Sequence, residues 1–206
     1  NATLYADDMW DAVLEAGKKH NLMVIAPAHH RRIQAGILSW GQDLDHEHNP
    51  FQCNLGYQVS LSGKGEWEKK GDYIGKQALE KMKADLKDGH KPYKLQLVGF
   101  EIGGKPIDEY APDFWLVSPG DGGDPCGFIT SPWYHPEKGK NIAMGYIPFD
   151  GTLNPNGFPK WELGKKFKVH LPDIYADEPG VPVDAVTVDV PFTESFNANT
   201  REVVKG

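Results

Sequence analysis

Cysteine is scarce, long apolar runs are missing and positive charge is in deficit, and each shortage removes a class of answers. Cys53 and Cys126 are the only cysteines in 206 residues, and no Cys-x-x-Cys spacing occurs. The pair therefore reads as free thiols in a reducing, cytoplasmic compartment rather than as a disulfide, a redox motif or a metal knuckle. No apolar run approaches the ~20 residues that cross a bilayer, so no membrane partner is expected. The chain opens on Asn-Ala-Thr without a basic region or an apolar core, so no secretory signal is visible. With 22 Lys and Arg against 29 Asp and Glu, the formal charge is −7, which argues against nucleic acid as a partner. A Gly-x-Ser-x-Gly elbow and a Gly-x-x-x-x-Gly-Lys-Ser/Thr phosphate loop are both absent. Gly103-Gly104-Lys105-Pro106 reads as a hairpin turn instead, because proline after the lysine blocks a helix start.

What is present supports a packed core: 39% of residues are hydrophobic and 11% aromatic. Asp7 to His20 has apolar residues at helical spacing, acids in the first turn, cations in the last and Asn21 as a left-handed cap. Leu22–Pro27 predicts a short buried strand, and Leu55, Tyr57, Val59 and Leu61 alternate as in a half-buried one. A second helix is predicted from about Ile74 or Gly75 to Lys87, and Asp88–Pro92 reads as a linker. Beyond it the pattern is all-β. Strands are predicted at Lys94–Ile102, Phe114–Val117, Gly127–Thr130, Ile142–Ile147, Lys166–Leu171 and Val181–Val190, as in a small barrel or sandwich. Two units result, an incomplete α+β unit at 1–87 and a barrel-like domain at 93–206. A chain that starts at Asn and enters a helix at once is expected to be part of something longer.

The densest chemistry lies in Ala26–Asp43, whose apolar spacing fits a short helix or an extended segment equally well. His29-His30 are adjacent, and His46 and His48 sit in a polar turn. Neither pair offers the three or four convergent ligands of a zinc site, so no metal is expected. Cys53 carries no sequence mark of a nucleophile. Arg31-Arg32 follow an apolar run, so at least one is expected to point inward. It would either pair with Asp43, Asp45 or Glu47, or clamp an anionic ligand.

Arg32-Ile-Gln-Ala-Gly-Ile-Leu-Ser-Trp-Gly-Gln-Asp43, Asn49-Pro50 and Gly71-Asp-Tyr-Ile-Gly-Lys-Gln-Ala-Leu79 together resemble the glycine cleavage T-protein (aminomethyltransferase) superfamily. So do Met9-Trp-Asp-Ala-Val-Leu-Glu-Ala-Gly17, Gly127-Phe-Ile-Thr-Ser-Pro-Trp-Tyr-His-Pro136, Ile142-Ala-Met-Gly-Tyr146 and Val188-Asp-Val-Pro-Phe192. The resemblance implies an α+β, ferredoxin-like segment of a three-domain folate-binding ring, followed by a C-terminal antiparallel β-barrel. It implies tetrahydrofolate as cofactor, a small-molecule methyl donor and the N-terminal half of the same protein as partner, with a homo-oligomer left open. Arg32, Trp40, His30 and Phe196 are the folate- or substrate-site residues it points to; the reactive carboxylates of the pattern lie upstream of Asn1. Ala28 and His29 stand where aminomethyltransferases carry an Arg-Asp pair. The run from Arg32, with Asn49-Pro-Phe-Gln-Cys53, is more similar to the dimethylsulfoniopropionate demethylase branch, which differs locally at Gln34, Trp40 and Gln52. The implied reaction is methyl transfer to N5 of tetrahydrofolate. Aminomethyl transfer, the folate domain of a dimethylglycine or sarcosine dehydrogenase, and non-catalytic folate binding are the alternatives.

Overall fold

A computed structural model describes residues 2–25, 28–61 and 73–192. Six antiparallel strands close into a barrel: β1 (Leu95–Ile102), β2 (Trp115–Pro119), β3 (Gly127–His135), β4 (Lys140–Pro148), β5 (Lys166–Val169) and β6 (Val183–Val188), in the order β1-β4-β3-β2-β5-β6. Closure removes the unpaired edges that an open sheet would expose.

Alternation along each strand sends one set of side chains inward. Val98, Phe100, Ile102, Val117, Ile129, Ala143, Ile147, Phe167, Val169 and Ala185 fill the interior. On β1 and β4 the outward set is apolar too: Leu97, Ile142, Met144 and Tyr146 form a second cluster with Ile33 and Phe192. That explains why Ile142-Ala-Met-Gly-Tyr-Ile147 is an unbroken apolar run, since a strand covered on both faces needs no polar alternation. The cover is a short helix, α2 (His29–Gln34), which brings Ile33 to 1% exposure against the barrel wall. A third cluster joins Phe51 and Phe149 to Leu86 of α3 (Lys76–Lys87).

The strand expectations from 94 onward hold within a few residues. β3 runs on through Pro132 to His135, past a register shift between Ile129 and Ser131 that accommodates the proline. Three local expectations fail. Gly103-Gly104 is not a hairpin turn, because β1 pairs with β4 and β6 and never with β2; Gly103 instead donates to Asp184 O (2.8 Å) as the chain leaves the barrel edge. Residues 51–61 are not a strand but turns and a 3-10 segment at Gly56–Gln58. Asn49 Oδ1 caps Gln52 N (2.9 Å), Leu55 N reaches back to Pro50 O (2.7 Å) and Asn54 takes a left-handed φ of 61°, all of which coil the backbone. Tyr57, expected on a buried face, is exposed. Residues 22–25 are irregular and exposed rather than a buried strand, since a lone strand without a neighbour leaves its ladder unpaired. The N-terminal helix forms as expected, with α1 at Ala6–Gly17, a 3-10 turn at Lys18–His20 and Asn21 left-handed at its end. None of its residues is buried, and Met9, Trp10 and Val13 face outward.

Gly145 of β4 lies opposite both Val98 and Ile129, and a Cβ there would stand 2.5 Å from Phe128 O and 3.0 Å from Ile129 Cα. Ordinary Gly→Ala changes in a strand gain stability from the unfolded state, but Gly145→Ala is expected to lose roughly 1–3 kcal/mol through overpacking. Urea denaturation measures it.

Candidate functional site

The site grows from one buried carboxylate. Asp43 ends a tight turn after α2, and its side chain is fully buried. Oδ2 accepts from Arg32 Nη1 (2.8 Å) and from Ser39 N (2.8 Å), while Oδ1 accepts from the hydroxyls of Thr130 (2.5 Å) and Ser131 (2.5 Å). A buried carboxylate is tolerated only when such bonds replace its water, and here both oxygens are doubly served. Asp43 O takes one more, from the Tyr146 hydroxyl (2.7 Å). Burial first, and then the Cys53 thiol at 3.4 Å, push the Tyr146 hydroxyl far above its usual range, so it stays a neutral donor.

Arg32 spends its whole guanidinium inside the protein. Nη1 donates to Asp43 and to Ile37 O (3.1 Å), Nη2 to Gln42 Oε1 (2.9 Å) and Ser131 Oγ (2.8 Å), and Nε to His29 Nδ1 (3.4 Å). An arginine has five N–H bonds, and each is met. Of the two roles open from the sequence, the ion pair with Asp43 is the one in place, and no donor is left for an anion. Gln42 completes the junction by donating to Thr130 O (2.8 Å). The α2–turn unit is thus welded to strand β3. Arg31 points outward.

The turn that Asp43 closes displays Trp40. Gly41, at φ 82°, donates to Leu44 O (2.8 Å), and Asp43 N donates to Ser39 O (2.8 Å). Trp40 sits at its tip, 68% exposed, on a backbone fixed from both sides. His30 is half-buried with its ring 6.3 Å from Trp133. His29 lies closer to the centre, 4.8 Å from the Tyr110 ring and stacked 6.1 Å from Trp133. Its Nδ1 accepts from Arg32, which leaves the proton of the neutral ring on Nε2. Burial, then the Arg32 charge, lower its pKa below 6.5, against a smaller opposite pull from Asp43. Phe196 lies outside the described residues.

The remaining titratable candidates are engaged elsewhere. His48 Nδ1 lies 2.8 Å from Asp45 Oδ1, and bonds from Glu47 N and then His48 hold the Asp45 carboxyl below its usual range. Cys53 and Cys126 are free thiols; burial raises both, which keeps Cys53 an un-ionised packing group rather than a nucleophile. Among the described residues no group of three His, Cys, Asp or Glu converges as a metal site. Gln42, Thr130, Ser131, His29 and Trp133 were not singled out as site residues from the sequence. The available signal was Gly127-Phe-Ile-Thr-Ser-Pro132, whose hydroxyl pair lies 87 and 88 positions from the carboxylate it binds.

Comparison with known proteins follows the same lines. No protein-family model matches the chain. It is 29% identical over 148 residues to an aminomethyltransferase of Chloroherpeton thalassium, covering 71% of this chain and 36% of that protein. It is 31% identical over 144 residues to the aminomethyltransferase of Symbiobacterium thermophilum, covering 68% and 33%. It is 29% identical over 166 residues to a dimethylsulfoniopropionate demethylase of Ruegeria pomeroyi, covering 80% and 38%. The chain spans about a third of the length of these curated relatives. In fold it matches the crystal structure of the glycine cleavage system aminomethyltransferase T from Bartonella henselae with a TM-score of 0.54 at 20% identity, over 79% of this chain and 37% of that one.

Arg32→Met leaves Asp43 buried without its counter-charge and is expected to lower stability by about 3–5 kcal/mol in urea denaturation. Adding Asp43→Leu recovers part of that loss, and Arg31→Met at the exposed neighbour changes stability by less than about 0.5 kcal/mol. His29 gives the second expectation. Its folded pKa is depressed, so the unfolded chain takes up the proton first as pH falls. Its contribution to stability is full above the unfolded value of 6.5 and declines as pH drops from there toward the lowered folded value. Denaturation midpoints across that window should fall more for the wild type than for His29→Gln.

Proposed function

From the chain's membership of the glycine cleavage T-protein (aminomethyltransferase) superfamily, we propose that it forms the carboxyl-terminal part of a tetrahydrofolate-dependent one-carbon transferase, with methyl transfer from a small onium donor such as dimethylsulfoniopropionate as the reaction. The observation that carries the reading is Trp40, an exposed indole on a turn held rigid by the Asp43 network. A flat pterin or aminobenzoyl ring suits such a platform, because stacking on a pre-positioned indole loses little freedom. Arg32 does not suit the tail carboxylates of a folate, since every donor is used; its part is to position the turn through Asp43. When bound, tetrahydrofolate supplies N5 as the acceptor of the one-carbon unit.

The methyl-transfer reading rests on residues 28 and 29. Aminomethyltransferase patterns carry Arg-Asp there, whereas this chain has Ala28 and a His29 held neutral beside Arg32. Positions 28 and 29 thus carry no charged pair. An onium methyl is already electrophilic, so alignment of donor and acceptor meets most of what the step requires. Aminomethyl transfer is the second reading, favoured by the relatives that bear that name. The N-terminal half of the same protein is the partner: it would cover the apolar face of α1 and the 22–25 run, where Met9, Trp10, Val13, Met23 and Ile25 stand exposed.

Calorimetry on the intact protein is expected to give saturable binding of tetrahydrofolate, and turnover with dimethylsulfoniopropionate to give 5-methyltetrahydrofolate. Trp40→Ala should weaken folate binding about tenfold, as loss of one aromatic stack does, with the denaturation midpoint unchanged. Absence of saturable folate binding in the intact protein overturns the proposal.

A further inference from the structure

A cleft of about 340 Å³ opens between the coil at 49–58 and the β4–β5 connection, and it shares no residue with the Arg32–Asp43 network. The volume is within the range of small-molecule sites, about 300–1,000 Å³. Its walls are rings. Phe51 is wholly buried, Phe158 and Trp161 are half-buried, and Tyr57 is 73% exposed.

These walls are fixed without being filled. The Trp161 indole donates to Val188 O (3.0 Å). Phe158 stacks 6.4 Å from Phe51, carries Lys83 Nζ 5.1 Å from its ring centre, and is anchored by Asn154 Oδ1 accepting from its backbone N–H (3.1 Å). Gly56 keeps the coil this close: a Cβ there would stand 2.7 Å from Phe158 Cδ1 and 2.9 Å from Phe51 Cδ1. Packed aromatic interiors ordinarily interdigitate until no such space remains, so the space left between the Phe51–Phe158 stack and the rings of Tyr57 and Trp161 is shaped for another flat group.

The charged lining is one cation and one anion, Lys160 and Asp189. Lys160 is exposed at the cleft and makes no ion pair among the described residues. Asn154 Oδ1 is used by two backbone donors, Asn156 N (2.9 Å) and Phe158 N (3.1 Å), which leaves its amide nitrogen to donate. Asp189 also lines the cleft but holds an interaction of its own. One ammonium and one amide donor match the two oxygens of a single carboxylate, whereas the three strong acceptor oxygens of a phosphate would be under-served here.

We propose that this cleft is a binding site for a small planar aromatic carboxylate, with the ring against Tyr57, Phe158 and Trp161 and the carboxylate on Lys160 Nζ and Asn154 Nδ2. The probe is indole-3-acetate titrated into the full-length protein, with indole as ring without charge and acetate as charge without ring. Binding is read by calorimetry and by the Trp161 indole N–H resonance. Expected are saturable binding of indole-3-acetate, a shift of that resonance, and affinity at least about tenfold weaker for either half-probe. Lys160→Met and Tyr57→Ala alter exposed side chains, so both variants retain the fold. Lys160→Met should reduce the affinity to that of indole, and Tyr57→Ala should weaken indole-3-acetate and indole alike. Unchanged binding in Lys160→Met, indole binding as tightly as indole-3-acetate, or no movement of the Trp161 resonance each overturns the proposal.

Discussion

Asp43 is a fully buried negative charge, and the arrangement of the first half of the chain against the barrel depends on how that charge is held. Left alone, such a carboxylate would be several kcal/mol unfavourable. Here Arg32, Ser39, Thr130 and Ser131 replace its water shell from three separate segments. The same contacts settle the register of α2 on β3, because Arg32 and Ser131 bond each other as well as the carboxylate. A shift of one residue along β3 would turn Ser131 to the other face and leave Asp43 short of a donor. Polar specificity and apolar packing then agree: the register that satisfies Asp43 also places Ile33 over Leu97, Ile142 and Met144.

That agreement explains the composition of β1 and β4. In a free-standing barrel their outward residues would face water and alternate with polar ones. Leu97, Met144 and Tyr146 point outward and are buried, because α2 and the turns after it lie on top of them. Tyr146 serves both networks, its ring packed at 5.4 Å from Phe128 and its hydroxyl on Asp43 O. The helix-and-turn segment is therefore as much a part of the barrel wall as of the region that precedes it.

Much of this was legible in the sequence, and the gaps have physical reasons. The barrel strands were readable because apolar runs are punctuated by Pro, Gly and Asp, and α1 and α3 because their periodicity and ends agree. Residues 51–61 misled because Leu55, Tyr57, Val59 and Leu61 alternate in sequence while Asn49, Pro50 and Asn54 coil the backbone. A side-chain cap and a left-handed residue outweigh a period-two pattern of this length. Gly103-Gly104 misled because a glycine pair marks a turn without saying which strands it joins. For the site, inward pairing of one arginine was readable from residue types. Its partners Thr130 and Ser131 were not, because contacts separated by nearly ninety positions are written in topology rather than in local pattern.

The saturation of Arg32 also bears on where recognition resides. A guanidinium whose donors are all spent acts on a ligand only through the turn it holds, and that turn presents an indole rather than a charge. Beside it, His29 is kept neutral by burial and by the neighbouring arginine, and it lies between the Tyr110 and Trp133 rings. This face of the protein is aromatic, and the buried charges behind it, Arg32 and Asp43, are paired with each other. A surface of that kind offers shape and stacking rather than charge. A cation at residue 28 would add a charge without a carboxylate beside it to this face, and Ala28 begins the helix with none.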